Sequence, residues 1–323
     1  MAGLSAAQRT QFEQDGYLVV ENVLDPERDI DPVMAEYAAV LDGLAERLYR
    51  EGAISSTWPG LPFNERLIQV CIESGRNYPQ EFDFSLPQKG VRRDTPMHVG
   101  PAIFNLLSNP RLLDVAESVI GPEIFSNPVQ HIRMKLPPRA VSTAGDYSGL
   151  VSKIPWHQDN GVLLPEADEA TILTIWAPIT EATVENGCLQ VIPQTNHADL
   201  VNHCPTDQGV AIPDKLLPPQ RAVPLPMKPG SLLLMTQRTI HSSLDNLTTD
   251  DVRISFDLRY QPVGQPSGRP AFPGFVARSK ARPATVQHDA AAWARSWTEA
   301  RARLAAAEDP SYNRWDADAP YCA

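Results

Sequence analysis

The stretch Val252-Arg253-Ile254-Ser255-Phe256-Asp257-Leu258-Arg259-Tyr260 is the longest of five short β-rich runs that follow residue 124. The other four runs span residues 130–136, 171–176, 187–192 and 231–235. Clusters of proline and glycine separate the runs, and 13 of the 31 prolines of the chain lie between them. Short strands with turn signals between them predict an all-β sandwich or barrel.

The residues before this region have helical patterns instead. Ser5, with Gln8 three positions later, has the capping-box pattern that starts a helix. We expect helices over residues 5–16, 31–52, 65–73 and 110–120, and a short buried strand over residues 17–20. Helices of this kind would buttress a sheet on one side.

The C-terminal part contains two kinds of sequence. Residues 261–283 are rich in Pro, Gly and Arg and have no periodicity, which is compatible with an ordered arm over the barrel. Residues 290–307 predict a helix, with Trp293, Trp297 and Leu304 packed against the fold. We expect a single domain over residues 1–323, with a helical part at 1–123, a β-barrel core at 124–262, and the arm and helix at 263–323.

Two short motifs carry the residues with metal chemistry, Trp156-His157-Gln158-Asp159 and Thr239-Ile240-His241-Ser242-Ser243. On an extended strand His157 and Asp159 project to the same face, because side chains alternate. Two imidazoles and one carboxylate can cap one face of an octahedral metal, as in non-heme Fe(II) oxygenases. The H-x-D tripeptide alone is a weak signal, and a strand end with a hydrogen-bonded histidine explains it equally well. Arg253 follows His241 at a distance suited to holding a carboxylate near the metal.

These residues belong to a longer ordered series. The series is Leu4-Ser5-Ala6-Ala7-Gln8, Phe12-Glu13-Gln14-Asp15-Gly16-Tyr17-Leu18-Val19-Val20, His157-Gln158-Asp159, Trp176, Glu185-Asn186-Gly187-Cys188-Leu189-Gln190-Val191-Ile192-Pro193, Pro229-Gly230-Ser231-Leu232-Leu233-Leu234, His241, Asn246 and Arg253-Ile254-Ser255. In order and spacing it resembles the phytanoyl-CoA dioxygenase family of Fe(II)/2-oxoglutarate oxygenases. The resemblance implies a mainly β fold with flanking α-helices, a double-stranded β-helix (jelly-roll, cupin-like) barrel buttressed by N-terminal helices.

The resemblance also implies roles for individual residues. His157, Asp159 and His241 match the iron ligands. Arg253 matches the arginine that pairs with the distal carboxylate of 2-oxoglutarate, a task suited to a planar guanidinium fork. Three further residues match the co-substrate pocket: Ser243 as a supporting hydroxyl, Trp176 as a lining aromatic and Lys135 as a basic residue. The chain departs from the family pattern at Pro193-Gln194-Thr195-Asn196-His197 and at Ser231, neither of which is a ligand position.

The implied activity uses Fe(II), 2-oxoglutarate and O2 to oxidise an unactivated C–H bond, with release of succinate and CO2. Hydroxylation is the usual outcome, while desaturation, epoxidation and rearrangement stay open. Related halogenases replace the carboxylate ligand with a small residue, so the presence of Asp159 disfavours halogenation. The family name suggests an acyl-CoA 2-hydroxylase, but the acidic chain has no strong lysine cluster for CoA phosphates. We therefore favour a free small molecule such as a natural-product intermediate.

Two other classes of function compete with this interpretation. A non-catalytic ligand-binding barrel would leave the ligand set and Arg253 without a role. A metal-dependent isomerase or hydrolase on a cupin-like barrel gives no reason for Arg253 and Ser243.

Composition excludes several partners. The formal net charge of -11 argues against nucleic acid, whose phosphates need clustered Lys and Arg. No apolar run of 18 residues predicts a membrane span, and the first residues lack a secretory pattern. The four cysteines have no metal-ligand spacing, so we expect reduced thiols in a cytoplasmic protein, although a disulfide stays possible. The oligomeric state stays open.

The remaining histidines have no acidic or histidine partner at ligand spacing. His98, His203 and His288 are expected to be surface or hydrogen-bonded core residues, and His197 has no assigned role. His131 shares one strand face with Arg133 and Lys135. That face either lines the barrel, where it could meet an acidic substrate, or faces solvent.

Overall fold

The computed structural model describes residues 3–142, 151–207 and 209–322. Its helices are α1 (Ala6–Asp15), α2 (Asp31–Arg50), α3 (Phe63–Ser74), α4 (Pro79–Phe82), α5 (Pro101–Leu107), α6 (Pro110–Ile120) and α7 (Ala290–Leu304). Its strands are β1 (Tyr17–Val20), β2 (Glu123–Lys135), β3 (Leu173–Pro178), β4 (Leu189–Val191), β5 (Cys204–Thr206), β6 (Gly209–Ala211), β7 (Val223–Leu225), β8 (Leu232–Thr236), β9 (His241–Ser243), β10 (Arg253–Pro262) and β11 (Phe275–Ser279).

Two antiparallel sheets form the centre of the fold. The larger sheet has the strand order β1-β8-β3-β10-β2-β11, and the smaller has the order β7-β4-β9. They pack together through an apolar cluster to which Trp176 and Leu233 contribute from the large sheet and Leu189 and Leu225 from the small one. The prediction of a mainly β, jelly-roll fold with flanking helices is confirmed. The sheets face each other without closing into a continuous barrel.

The N-terminal helices cover the other face of the large sheet. Phe256 of β10 contacts Tyr37 of α2 and also Phe84, with ring centroids 6.3 Å and 4.9 Å away. All three side chains are fully buried. Burial of a side chain of this size contributes about 1.5–3 kcal/mol. The helices therefore cover the face of the large sheet that lies away from the small sheet, and the face toward the small sheet is available for polar residues.

The chain start confirms the predicted capping box. The Gln8 amide donates to the Ser5 hydroxyl at 3.2 Å, and the Ser5 amide donates to the Gln8 side chain at 2.9 Å. Gly16 ends α1 with a φ of 80°, a left-handed conformation that favours glycine. The Gly16 carbonyl then accepts a hydrogen bond from the Thr239 hydroxyl at 2.5 Å. This contact fixes the turn that leads into β9.

The structure adds elements that periodicity did not predict. Helices α4 and α5 have four and seven residues, too few for a clear apolar period. Strand β11 lies within the Pro, Gly and Arg-rich stretch and pairs with β2 at the sheet edge. The strand at residues 275–279 has no periodic signal in the sequence, because tertiary pairing overrides local composition there. The expected packing of α7 is confirmed, since Trp293, Trp297 and Leu304 are buried.

One expectation about the cysteines is wrong. Cys204 and Cys322 form a disulfide that joins β5 to the C-terminal tail. They are separated by 118 residues, so no local spacing could indicate the pair. Cys71 and Cys188 are free and buried, as expected of reduced thiols. Disulfides are uncommon in reducing compartments, so this one does not support the expected cytoplasmic location, which stays a prediction. None of the described helices is long and apolar enough to cross a membrane.

Candidate metal centre and adjoining cavity

His157 and His241 are held side by side by the backbone. Their amides and carbonyls exchange two hydrogen bonds of 3.0 Å, and their ring centroids lie 4.2 Å apart. In each ring Nδ1 lies 2.9 Å from the carbonyl oxygen two residues earlier, that of Pro155 or of Thr239. An Nδ1–H donated to these carbonyls fixes the tautomer and leaves Nε2 as the free donor atom. Both imidazoles are therefore oriented for metal binding.

Asp159 reaches the same point by a turn and not along a strand. The chain is extended through Gln158, as predicted, and enters a short 3-10 turn over Asp159–Val162. The Asp159 Oδ1 atom nevertheless lies 3.9 Å from Nε2 of His157. One ligand atom from each of Asp159, His157 and His241 lies within 4.8 Å of the others. Gln158 faces away, as expected, and its side chain donates to the Arg238 carbonyl at 2.8 Å.

Two residues that sequence reasoning missed hold the Asp159 carboxylate. The Thr174 hydroxyl and the Arg259 guanidinium both donate to it, and Arg259 also donates to the Val129 carbonyl at 2.8 Å. Burial raises the pKa of Asp159, but Arg259, the two imidazoles and the Thr174 hydroxyl together outweigh it and keep the pKa below the usual range. Burial lowers the pKa of His157 to about 3. These groups are thus a carboxylate and a neutral imidazole, the forms that bind metals.

Register explains why these side chains meet. Alternate residues of β10 share the face toward the small sheet, and their cross-strand neighbours on β2 and β3 share it too. The pairs with β2 are Arg253 with Lys135, Ser255 with Arg133 and Asp257 with His131; the pairs with β3 are Asp257 with Trp176 and Arg259 with Thr174. The open question about His131, Arg133 and Lys135 is thereby answered, because their common face lines the site.

Arg253 and Lys135 form a buried pair of basic side chains beside the metal centre. Arg253 donates to the Ser255 hydroxyl and lies 5.4 Å from the Trp176 ring centroid, while its Nε has no partner among the described residues. Lys135 donates to the Ser243 hydroxyl at 2.6 Å. Burial, with the charge of Arg253, lowers the pKa of Lys135 to about 6. Burial also lowers the pKa of Arg253 to about 9.

Neither Arg253 nor Lys135 forms an ion pair with a carboxylate in the described part of the chain. A buried charge without a counter-charge costs free energy, so this inner cleft suits an anion. Its volume is about 20 Å³, so side chains that line it would have to move to admit an organic dicarboxylate. Ser243 approaches Lys135, and its predicted contact with the co-substrate carboxylate stays a prediction.

A larger cavity of about 610 Å³ opens onto His157 from the outside. His131 lines it and pairs with Asp83, with Nδ1 and Oδ2 2.8 Å apart. Arg133, Arg259 and Arg269 also reach its wall. Cavities that bind small organic molecules have volumes of about 300–1,000 Å³. The metal centre therefore lies between a narrow cationic cleft and a cavity that can hold a small molecule.

The other histidines lie outside the metal centre, either hydrogen-bonded inside the fold or at the surface. The buried His203 accepts a hydrogen bond from the Gln158 amide at 3.0 Å. His98 lies 2.9 Å from the Glu36 carboxylate. The exposed His197 contacts the Gln14 carbonyl, and His288 is also exposed.

Comparison with known proteins agrees with this geometry. The family model described as phytanoyl-CoA dioxygenase (PhyH) matches residues 12–255. A probable phytanoyl-CoA dioxygenase of Caenorhabditis elegans is 23% identical over 210 residues, which cover 62% of this chain and 55% of that protein. An ectoine dioxygenase of Bordetella parapertussis is 25% identical over 265 residues, which cover 76% and 71%.

A solved structure of a non-heme monooxygenase, ThoJ in its apo form, superposes with a TM-score of 0.58. The match covers 92% of this chain and 96% of that one at 17% identity. At this identity the likeness supports the fold alone.

Proposed function

Because the chain belongs to the phytanoyl-CoA dioxygenase family and is a non-heme Fe(II)- and 2-oxoglutarate-dependent dioxygenase, we propose that it oxidises an unactivated C–H bond of a free small molecule. Hydroxylation is the expected outcome. One observation carries the proposal: two imidazoles with free Nε2 atoms and one carboxylate lie between the buried basic residues Arg253 and Lys135 and a cavity of about 610 Å³.

We assign the iron to His157, Asp159 and His241. Two neutral imidazoles and an ionised carboxylate fit Fe(II), since this donor set leaves coordination positions open for co-substrate and O2. Bound Fe(II), with 2-oxoglutarate and O2, supplies an oxidant that can take a hydrogen atom from a C–H bond while succinate and CO2 are released. Arg259 and Thr174 hold the Asp159 carboxylate in one orientation, and the carbonyls of Pro155 and Thr239 do the same for the imidazoles.

We assign the 2-oxoglutarate pocket to the inner cleft. Arg253 and Lys135 would neutralise the distal carboxylate, and Trp176 would form the apolar wall along the carbon chain. The orphaned Arg253 Nε supports this assignment, because a buried guanidinium N–H without a partner is satisfied when an anion binds. Ser243 would keep Lys135 in place or share the carboxylate directly.

We assign the substrate to the outer cavity and favour a free small molecule such as a natural-product intermediate. The ectoine dioxygenase relative bears the name of a free small molecule, which supports this class. The acyl-CoA alternative is supported by Lys89 and Arg92 on the cavity wall, which could meet CoA phosphates. The Arg92 guanidinium already lies 3.3 Å from Asp94 and both side chains are exposed, so this support is weak.

We also propose that residues 1–323 act as one domain, with the parts expected from the sequence. The main apolar core contains Tyr37 from the helical part, Phe256 from the sheet and Trp297 from the C-terminal helix, which supports this. Limited proteolysis that released a stable fragment would contradict it.

The test of the proposed function uses anaerobic spectroscopy followed by product analysis. Fe(II) and 2-oxoglutarate together should give a weak visible charge-transfer band, which His241→Ala should lack. Succinate formation should then rise with substrates from a panel of free acids, free neutral molecules and acyl-CoA esters. If the band is absent and no panel member stimulates succinate formation, the assignment of the site is wrong. Stimulation by acyl-CoA esters alone would favour the 2-hydroxylase alternative.

A further inference from the structure

The wall of the outer cavity is cationic, although the chain has a formal net charge of -11. Its charged residues are Lys89, Arg92, Arg133, Arg259 and Arg269 against Asp83 and Asp207, five cations to two carboxylates. Three of these cations have an acidic partner: Arg259 pairs with Asp159, Arg133 lies 3.5 Å from Asp257 and Arg92 lies 3.3 Å from Asp94. The other two, Lys89 and Arg269, form no ion pair with a carboxylate of the described residues, and of these Lys89 is exposed whereas Arg269 is buried.

The surroundings of Arg269 fix its guanidinium but leave part of it unused. The residue is 1% exposed, and its Nη2 donates to the Val162 carbonyl at 2.9 Å. The guanidinium carbon lies 4.5 Å from the Tyr312 ring centroid and 5.7 Å from that of Phe272. Its Nε and Nη1 atoms have no hydrogen-bond partner in the described ranges. Burial lowers the pKa of Arg269 to about 10, so the group is still a cation at neutral pH.

The position of Arg269 connects it to the metal centre. Val162, whose carbonyl it binds, ends the turn that begins at Asp159. Arg269 and His157 line the same cavity. Gly268, with a φ of 68°, brings the backbone so close that a Cβ there would lie 2.9 Å from Cβ of Leu163. The local backbone thus holds Arg269 close to the turn that begins at Asp159, a proposed iron ligand.

We propose that Arg269 is a substrate-binding residue that holds a carboxylate of the small-molecule substrate inside the outer cavity. This rests on the proposed function, which makes that cavity the substrate site. A bound carboxylate would give the orphaned N–H groups acceptors and would neutralise a buried cation. It would also fix one end of the substrate and present its apolar part toward the metal centre. Charge-assisted hydrogen bonds of this kind give an acid about a 10- to 100-fold preference over its neutral amide.

The test measures binding to the anaerobic enzyme loaded with Fe(II) and 2-oxoglutarate, by calorimetry and by perturbation of the charge-transfer band. The probes are 4-phenylbutyrate, cyclohexanebutyrate and abietate, each compared with its primary amide. In the natural protein at least one acid should bind about 10- to 100-fold more tightly than its amide. Arg269→Gln should remove this preference without weakening the amide, and Arg269→Lys should retain part of it. Arg92→Gln is the matched control, since it removes a cation from the same cavity wall and should keep the preference.

Three results would overturn the proposal. In the first, no acid binds more tightly than its amide, which includes the case in which no probe binds. In the second, the preference for the acid survives Arg269→Gln or falls equally with Arg92→Gln, so that the overall positive potential of the cavity wall, and not Arg269, explains it. In the third, a structure of the natural protein with the tightest acid has the carboxylate on another group, a result that does not depend on whether a variant folds. A charge-transfer band that persists throughout keeps the proposed function intact and confines the failure to Arg269.

Discussion

Replacing Arg253 by methionine separates a binding role from a structural one. Methionine keeps much of the buried volume and removes only the charge and the hydrogen-bond donors. In the structure Arg253 is 1% exposed, has an orphaned Nε and lies beside a second buried basic residue, Lys135. If the inner cleft binds 2-oxoglutarate, the variant should lose co-substrate affinity. If Arg253 only supports the fold, the variant should lose stability.

The expected magnitudes follow from these contacts. Hydrogen bonds to a charged group contribute about 1.5–3 kcal/mol, which corresponds to about 10- to 150-fold in Kd. Lys135 stays in the variant and can still donate a hydrogen bond to the carboxylate, so we expect about 2 kcal/mol, or a Kd for 2-oxoglutarate that is about 30-fold higher. A buried cation without a counter-charge costs stability, and apolar replacements of such groups are often neutral or stabilising. The free energy of unfolding of the protein without ligands should therefore stay the same or rise.

Anaerobic titration of the charge-transfer band with 2-oxoglutarate measures the first quantity, and denaturant unfolding of the ligand-free protein measures the second. Iron affinity should change little, because Arg253 does not contact the proposed ligands. Arg278→Met is the matched control. Arg278 lies on the edge strand β11 and pairs with Asp114 and Glu117 of α6, so its replacement should leave co-substrate affinity unchanged. Equal losses of iron and 2-oxoglutarate affinity, or a fall in stability with normal co-substrate affinity, would refute the reasoning.

Three further perturbations test other contacts. Arg259→Gln removes the charged donor that holds the Asp159 carboxylate. It should weaken Fe(II) binding about 10- to 100-fold in a metal-competition assay. An unchanged Fe(II) affinity would mean that the Arg259–Asp159 ion pair does not contribute to metal binding. The pKa of Lys135 is about 6 in the folded protein, below its ordinary value of 10.5. Between these two pH values the unfolded chain binds more protons than the folded protein, so the free energy of unfolding should rise with pH across that window. Lys135→Met should reduce that rise, which cannot exceed about 1.4 kcal/mol per pH unit, and an identical pH profile would contradict the lowered pKa. Reducing the Cys204–Cys322 disulfide should destabilise the protein by about 2–4 kcal/mol in denaturant unfolding, and the matched variant Cys322→Ser should be insensitive to reductant.

The sequence predicted the chemistry-bearing residues better than the contacts that orient them. His157, Asp159, His241 and Arg253 could be found because residue type, spacing and family resemblance all converge on them. Arg259 could not, because only the pairing of β10 with β3 and β2 brings it to the carboxylate. Its signal was nevertheless present, since it follows Arg253 at an even spacing and therefore shares its face. Long-range pairings of this kind have no local signature in the sequence.

The alternation along β10 explains how one strand serves both stability and chemistry. Phe256 and Leu258 point toward the helices and are completely buried in the main apolar core. Their neighbours Asp257 and Arg259 point to the opposite face and form the ion pairs around the site. A buried apolar face on one side fixes the register strongly, because a slip of one residue would exchange the two sets of side chains. The helical layer thus determines which residues of β10 face the metal centre, and the precision of the site depends on packing behind the sheet, on the side away from the metal.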